Sequence, residues 1–94
     1  MNVKVLRMNT GEDVIFTVVE EKEDTIVIEN ALVAMPAAAG NIGFGPWAPL
    51  VKNGDSIELE RKYIVYIADP QVEVEEQYSK IFSAIETPSK KLIL

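Results

Sequence analysis

Glu58 and Glu60 stand two residues apart, so in an extended strand both carboxylates project to one face. That is the smallest arrangement able to supply an acid and a base across a glycosidic bond. Such a pair needs an apolar pocket that drives the two pKa values apart, and the flanking residues supply none, so a solvated strand face is the better account. Gly40-Asn41-Ile42-Gly43-Phe44-Gly45 is superficially similar to a phosphate cradle. Its order is G-x-x-G-x-G, no Lys-Ser/Thr follows and no helix begins there, so a nucleotide loop is rejected. Glu20-Glu21-Lys22-Glu23-Asp24 concentrates carboxylates that attract cations, but it lacks the glycine and the ligand periodicity of an EF-hand loop and reads as a solubilising turn. The chain has no His and no Cys. The commonest general base, the commonest transition-metal ligands and every thiol nucleophile are therefore missing. No catalytic residue, metal ligand or cofactor site emerges, and the residues describe an assembly or binding module rather than an enzyme.

The 94 residues are 48% apolar and 26% charged, which suits one globular domain spanning 1–94. A net charge of −6 opposes long-range attraction to nucleic acid or to anionic membrane surfaces. No apolar run approaches the length of a bilayer span, and Lys4 and Arg7 interrupt the N-terminal residues where a signal peptide would be apolar. The expectation is a soluble protein with no membrane partner, located in the cytoplasm.

Charge and composition leave the elements to be read from periodicity. Residues 3–8 form a short β-prone run ended by the turn formers Asn9 and Gly11. Residues 13–21 carry Val14, Phe16 and Val18 on one face and Ile15, Thr17 and Val19 on the other, so both faces of this strand require cover. After the acidic turn, the apolar pattern resumes over 25–35. Three Pro and three Gly within 36–49 argue for a long loop, with a brief strand at 47–51. Ile57, Leu59, Tyr63, Val65 and Ile67 share one parity, predicting two more strands that meet near residues 60–62 and leave Ile64 and Tyr66 facing outward. Asp69-Pro70 reads as an N-cap with proline at the first helical position. Val74, Tyr78, Ile81, Phe82 and Ile85 then form one stripe of an amphipathic helix over about 70–87, stopped by Pro88 and followed by a tail at 88–94. The predicted fold is mainly β: a five-stranded, strongly bent open barrel over 3–68 with a C-terminal α-helix.

Five short bent strands with a long loop before the fourth resemble the Sm-like (Lsm, Hfq-like) small barrel, and within that family the small Sm-like proteins of tailed cyanophages. Gly11 follows the first strand, Val14, Phe16 and Val18 continue the alternation of the first Sm motif, and Asp24 and Asn30 stand for its polar pair. Phe16 occupies the place of the family's second glycine. In the second motif, Leu59-Glu60-Arg61-Lys62-Tyr63-Ile64 keeps the aliphatic ends, with Glu60 in place of the basic residue and Arg61 in place of glycine.

The resemblance implies a homo-oligomeric ring in which an edge strand of one barrel pairs with an edge strand of the next. It also implies RNA contacts at Asn30, Arg61 and Lys62, the residues nearest the family's RNA-binding positions. The altered second motif and the acidic charge reduce that expectation to weak association with single-stranded RNA at most. Phe44 and Trp47 have no Lys or Arg nearby, since none occurs between residues 30 and 51, and are expected at an interface rather than under stacked bases. Ile64 and Tyr66 join them as interface candidates. A scaffold or adaptor role follows, within the host cytoplasm if the chain is phage-encoded. The competing reading is a monomeric module that docks a protein partner through its Gly/Pro-rich loop and helix.

Overall fold

The computed structural model describes residues 2–52 and 54–93, and the side chains of these as far as Phe82, Ala39 apart. Among the described residues there are six strands: β1 (Val3–Met8), β2 (Asp13–Glu21), β3 (Thr25–Pro36), β4 (Ile42–Pro46), β5 (Ile57–Glu60) and β6 (Ile64–Ala68). Helix α1 (Val72–Ile93) follows, and short 3₁₀ turns lie at Ala38–Gly40 and Arg61–Tyr63. The strands make one antiparallel sheet in the order β4-β3-β2-β1-β6, with β5 paired to β3 off this path. The fold is mainly β, a bent and open barrel with a C-terminal helix, as the alternation of apolar residues predicts.

Two bulges explain how one sheet bends so far. In β3, Ile15 pairs with Leu32 and Thr17 with Glu29, so Asn30 and Ala31 together oppose Phe16 alone. Asn30 takes φ 54°, a left-handed conformation that asparagine tolerates better than most residues. The kink turns β3 into two half-strands. Its first half pairs with β5 (Thr25 with Glu60, Ile28 with Ile57), and its second pairs with β4 (Leu32 with Pro46, Pro36 with Ile42). In β2, Val19 is the extra residue between the Val18–Ile28 and Glu20–Val27 pairs.

The two apolar faces of β2 are covered from opposite sides. Leu6, Val14, Phe16, Ile26 and Ile28 are buried inside the curl of the sheet, with Ile57, Leu59, Ile64 and Ile67 packed around them. Val3 and Ile15 point to the other side, where Val5, Leu32 and Phe44 meet Val74, Tyr78 and Phe82 of α1. Burying each of the larger side chains stabilises the fold by about 1.5–3 kcal/mol, so neither layer is dispensable. The helix of the same chain thus answers the requirement that the two-sided strand imposes.

Four expectations are corrected. The barrel has a sixth strand, β4, inside the segment read as loop; its glycines suit a two-stranded arm supported only by β3, and Pro46 lies at its end, where a missing N–H is least harmful. Residues 47–51 are turn and bend rather than strand. The helix begins at Val72, the amide of Glu75 donating to the carbonyl of Gln71 at 2.9 Å. Asp69 is therefore no N-cap, and its carboxylate takes the Lys4 ammonium at 2.6 Å instead. At the far end the helix runs past Pro88 to Ile93, because a proline removes one intrahelical bond and can bend a helix without ending it. No helix among the described residues is long and apolar enough to cross a membrane.

Candidate functional site

Arg61 opens the 3₁₀ turn between β5 and β6, and the turn is pinned on both sides. The Arg61 amide donates to the Asp24 carbonyl at 2.9 Å and the Asn9 amide donates to the Tyr63 carbonyl at 2.8 Å. The guanidinium is committed within the chain: Nε donates to the Lys22 carbonyl at 2.9 Å and Nη2 reaches Glu21 at 3.4 Å. Lys62 lies 3.7 Å from Glu60 and 5.2 Å from the centre of the Tyr63 ring. Both cations therefore have their own carboxylate, and a phosphate would have to displace it.

Asn30 stands elsewhere. Arg61 is tied to Asp24, and Asn30 lies six positions further along the chain, roughly 20 Å at strand rise. Within one protomer the structure does not bring the three RNA-contact candidates together. Asn30 instead has a structural task that sequence did not suggest. Its carbonyl accepts the phenolic proton of Tyr78 at 2.8 Å, and the Thr17 hydroxyl lies 2.9 Å from the same phenol oxygen. The phenol has one proton and the carbonyl can only accept, so Thr17 donates to Tyr78. Tyr78 is fully buried, and burial pushes its phenol pKa up, with the Thr17 contact acting in the opposite direction.

Glu58, half of the carboxylate pair, donates nothing and accepts twice, from Thr25 at 2.7 Å and Lys22 at 3.3 Å. The Thr25 hydrogen bond first, and then Lys22, hold its carboxyl below the usual range. A general acid needs the opposite shift. Among the described residues no group of three or more His, Cys, Asp and Glu side chains is placed to hold a metal ion.

The interface candidates divide. Phe44 packs in the layer under α1, and Trp47 packs against the inner core while its indole N–H donates to Glu12 at 3.1 Å. Ile64 was expected outward and is instead packed against the inner core. The reason is a bulge: Arg7 pairs with Tyr66 and Met8 with Ile64, so Val65 is an extra residue that reverses the parity of β6. Val65 and Tyr63 are expelled with it, at 62% and 44% exposure, and Tyr66 stays outward at 47%. Tyr66 faces Arg7, whose guanidinium holds Asp13 through two contacts of 2.9 Å. Val65 and Tyr63 are exposed residues that alternation assigned to the inner face, and nothing in their spacing signals the bulge.

A cavity of about 650 Å³ opens between the kink of β3, loop residues 46–52 and 54–55, and α1. Ala31, Leu32, Ile57 and Phe82 form its apolar wall, and Lys52 and Asp55 also line it. Leu50 lies in the same loop, between two lining residues, Pro49 and Val51, and is 99% exposed. No protein-family model matches this chain, and no curated protein does.

Proposed function

We propose that this chain is a non-catalytic Sm-like protein whose copies associate edge to edge into a homo-oligomeric ring, with a scaffold or adaptor role in the cytoplasm, that of the host if the chain is phage-encoded. The observation that carries the reading is β6. It ends the sheet, so one row of its N–H and C=O groups has no strand beside it among the described residues, and Val65 and Tyr66 are exposed along it, with Tyr63 exposed in the turn just before. An apolar edge strand invites pairing with another chain. Among the described residues strand β5 pairs with β3 alone, and it offers a second free edge on the other side of the 3₁₀ turn. A β5 edge meeting the β6 edge of the next copy is a heterologous contact, and such contacts close into rings when the rotation allows. The argument rests on the edges, because α1 already covers the outer face of β1 and β2.

RNA association in this reading is weak. Arg61 and Lys62 are neutralised by Glu21 and Glu60, and a ring of n copies carries a net charge of −6n. Phosphate binding gains from released counterions only where local charge is positive.

Light scattering tests the ring. The full chain is expected as a closed oligomer that persists at low micromolar concentration, and Val65→Glu is expected to dissociate it without unfolding, since Val65 lies outside both cores. A single 10.4 kDa species at high micromolar concentration ends the proposal. That outcome favours the second reading, a monomeric module docking a protein partner through its Gly/Pro-rich loop and helix. The exposure of Leu50 in the loop that follows β4 is what supports it.

A further inference from the structure

We infer that two copies of this chain meet face to face through loop residues 46–52 and 54–55, the Leu50 side chain of each entering the cavity of the other. The contact meets the ring-forming strands only at Ile57, the first residue of β5, whose side chain lies in the cavity wall, and it does not depend on ring formation.

Three observations converge on one self-complementary surface. The first is a knob. Leu50 is the most exposed large apolar side chain among the described residues, at 99%, where the other described Leu, Ile and Met side chains are at least half withdrawn from solvent. Pro49 precedes it, which restricts the backbone and lowers the ordering cost of presenting the side chain to a partner. The second is a hole within the same loop-and-helix surface. The cavity has room for an isobutyl group, and Ala31, Leu32, Ile57 and Phe82 give it an apolar wall. Leu50 cannot fill its own cavity in this conformation, since it has no cover from its own chain at all.

The third observation chooses the occupant. Lys4, Arg7, Lys22, Arg61 and Lys62 are paired with carboxylates of their own chain, whereas Lys52 and Lys80 have no such pair among the described residues, and of these two only Lys52 lines the cavity. Lys52 and Asp55, which line this cavity, have no ion-pair partner among the described residues, although the Asp55 amide bonds the Lys52 carbonyl at 3.1 Å. One unpaired cation and one unpaired anion on one rim form a pattern that its own two-fold image complements. Lys52 of each copy meets Asp55 of the other, and the pair is made twice. An acidic protein of net charge −6 resists self-association in general, and this neutral rim is a place where two copies can touch without adding like charge. An unrelated partner would need to present a knob, a hole and both charges in mirror order, whereas a second copy has them by construction.

Light scattering on the full chain decides the matter with four proteins: parent, Leu50→Asp, Lys52→Asp, and the exchanged pair Lys52→Asp with Asp55→Lys. The parent is expected to contain an even number of copies. Leu50→Asp should halve the mass with an unchanged melting curve, because an exposed side chain contributes nothing to the protomer's core. Lys52→Asp should raise the dissociation constant by about tenfold or more, and the exchange should restore it, since it rebuilds the same reciprocal pairs. Val65→Glu separates this contact from the ring: an intact dimer in that variant keeps the loop contact while the ring dissociates. If Leu50→Asp has the parent's mass, or if the exchanged pair associates no better than Lys52→Asp alone, the face-to-face contact does not exist.

Discussion

Replacing Tyr78 by Phe removes a single oxygen atom from the junction where α1, β2 and β3 meet, and the structure sets the cost. The Tyr78 phenol donates to the Asn30 carbonyl at 2.8 Å and accepts from Thr17 at 2.9 Å, in a fully buried position. Each such bond contributes about 0.5–1.5 kcal/mol net, and a buried acceptor stripped of its donor costs more, so the expected loss is about 2 kcal/mol. The ring stays, and with it the Phe82 contact at 4.8 Å between centroids, so packing is conserved and the polar term is isolated. For a domain of this size that loss lowers the melting midpoint by roughly 8–16 °C. Calorimetry or circular dichroism at one protein concentration measures it, since association would otherwise shift the midpoint. Thr17→Val in the same background should add less than it does in the parent, because the phenol that accepts from Thr17 is already gone.

Alkaline pH offers an independent readout. The phenol pKa is raised by burial above its ordinary 10.0, so the folded state holds the proton more tightly than the unfolded chain. The associated stability is fully present below pH 10.0 and is lost as pH climbs through the folded value. The parent should therefore lose stability more steeply than Tyr78→Phe above pH 10. A Tyr78→Phe protein whose melting midpoint and alkaline limb both overlay the parent's refutes the reasoning.

Three further outcomes are expected. Asn30→Gly should melt close to the parent while Asn30→Val loses about 1–2 kcal/mol in urea titration, because φ 54° is open to glycine and hostile to a β-branched residue. The Asp13 carboxyl is held below its ordinary 3.8, first by its hydrogen bond to Arg7, so its stabilising effect is complete above 3.8 and is lost as pH falls through the lower folded value. Asp13→Asn should accordingly flatten the acid limb of the stability curve below about pH 4. Binding of an unstructured U-rich oligonucleotide at physiological salt should be no tighter than roughly 10⁻⁴ to 10⁻⁶ M by fluorescence anisotropy, and nanomolar affinity abolished by Arg61→Ala with Lys62→Ala would make RNA binding the function.

Periodicity by itself determined most of the elements. Apolar alternation delimits β1, β2 and most of β3, the 3.6-residue stripe of Val74, Tyr78 and Phe82 announces α1, and the absence of His and Cys limits the chemistry before any coordinate is known. These are local facts, because a strand or helix face is set by residues a few positions apart. The remaining features depend on residues brought together from far along the chain. The bulges at Asn30 and Val65 each shift a register by one residue, and a one-residue shift sends every later side chain to the opposite face. Ile64 is therefore inside and Val65 outside, the reverse of what alternation predicts. Strand β4 exists because the kinked second half of β3 offers it an edge, a partner that its own Gly- and Pro-rich sequence could not reveal. Arg61 is a free cation in the sequence and a paired one in the fold, since Glu21, forty residues earlier, closes on it only when β2 and β3 bring their turn beside the one between β5 and β6.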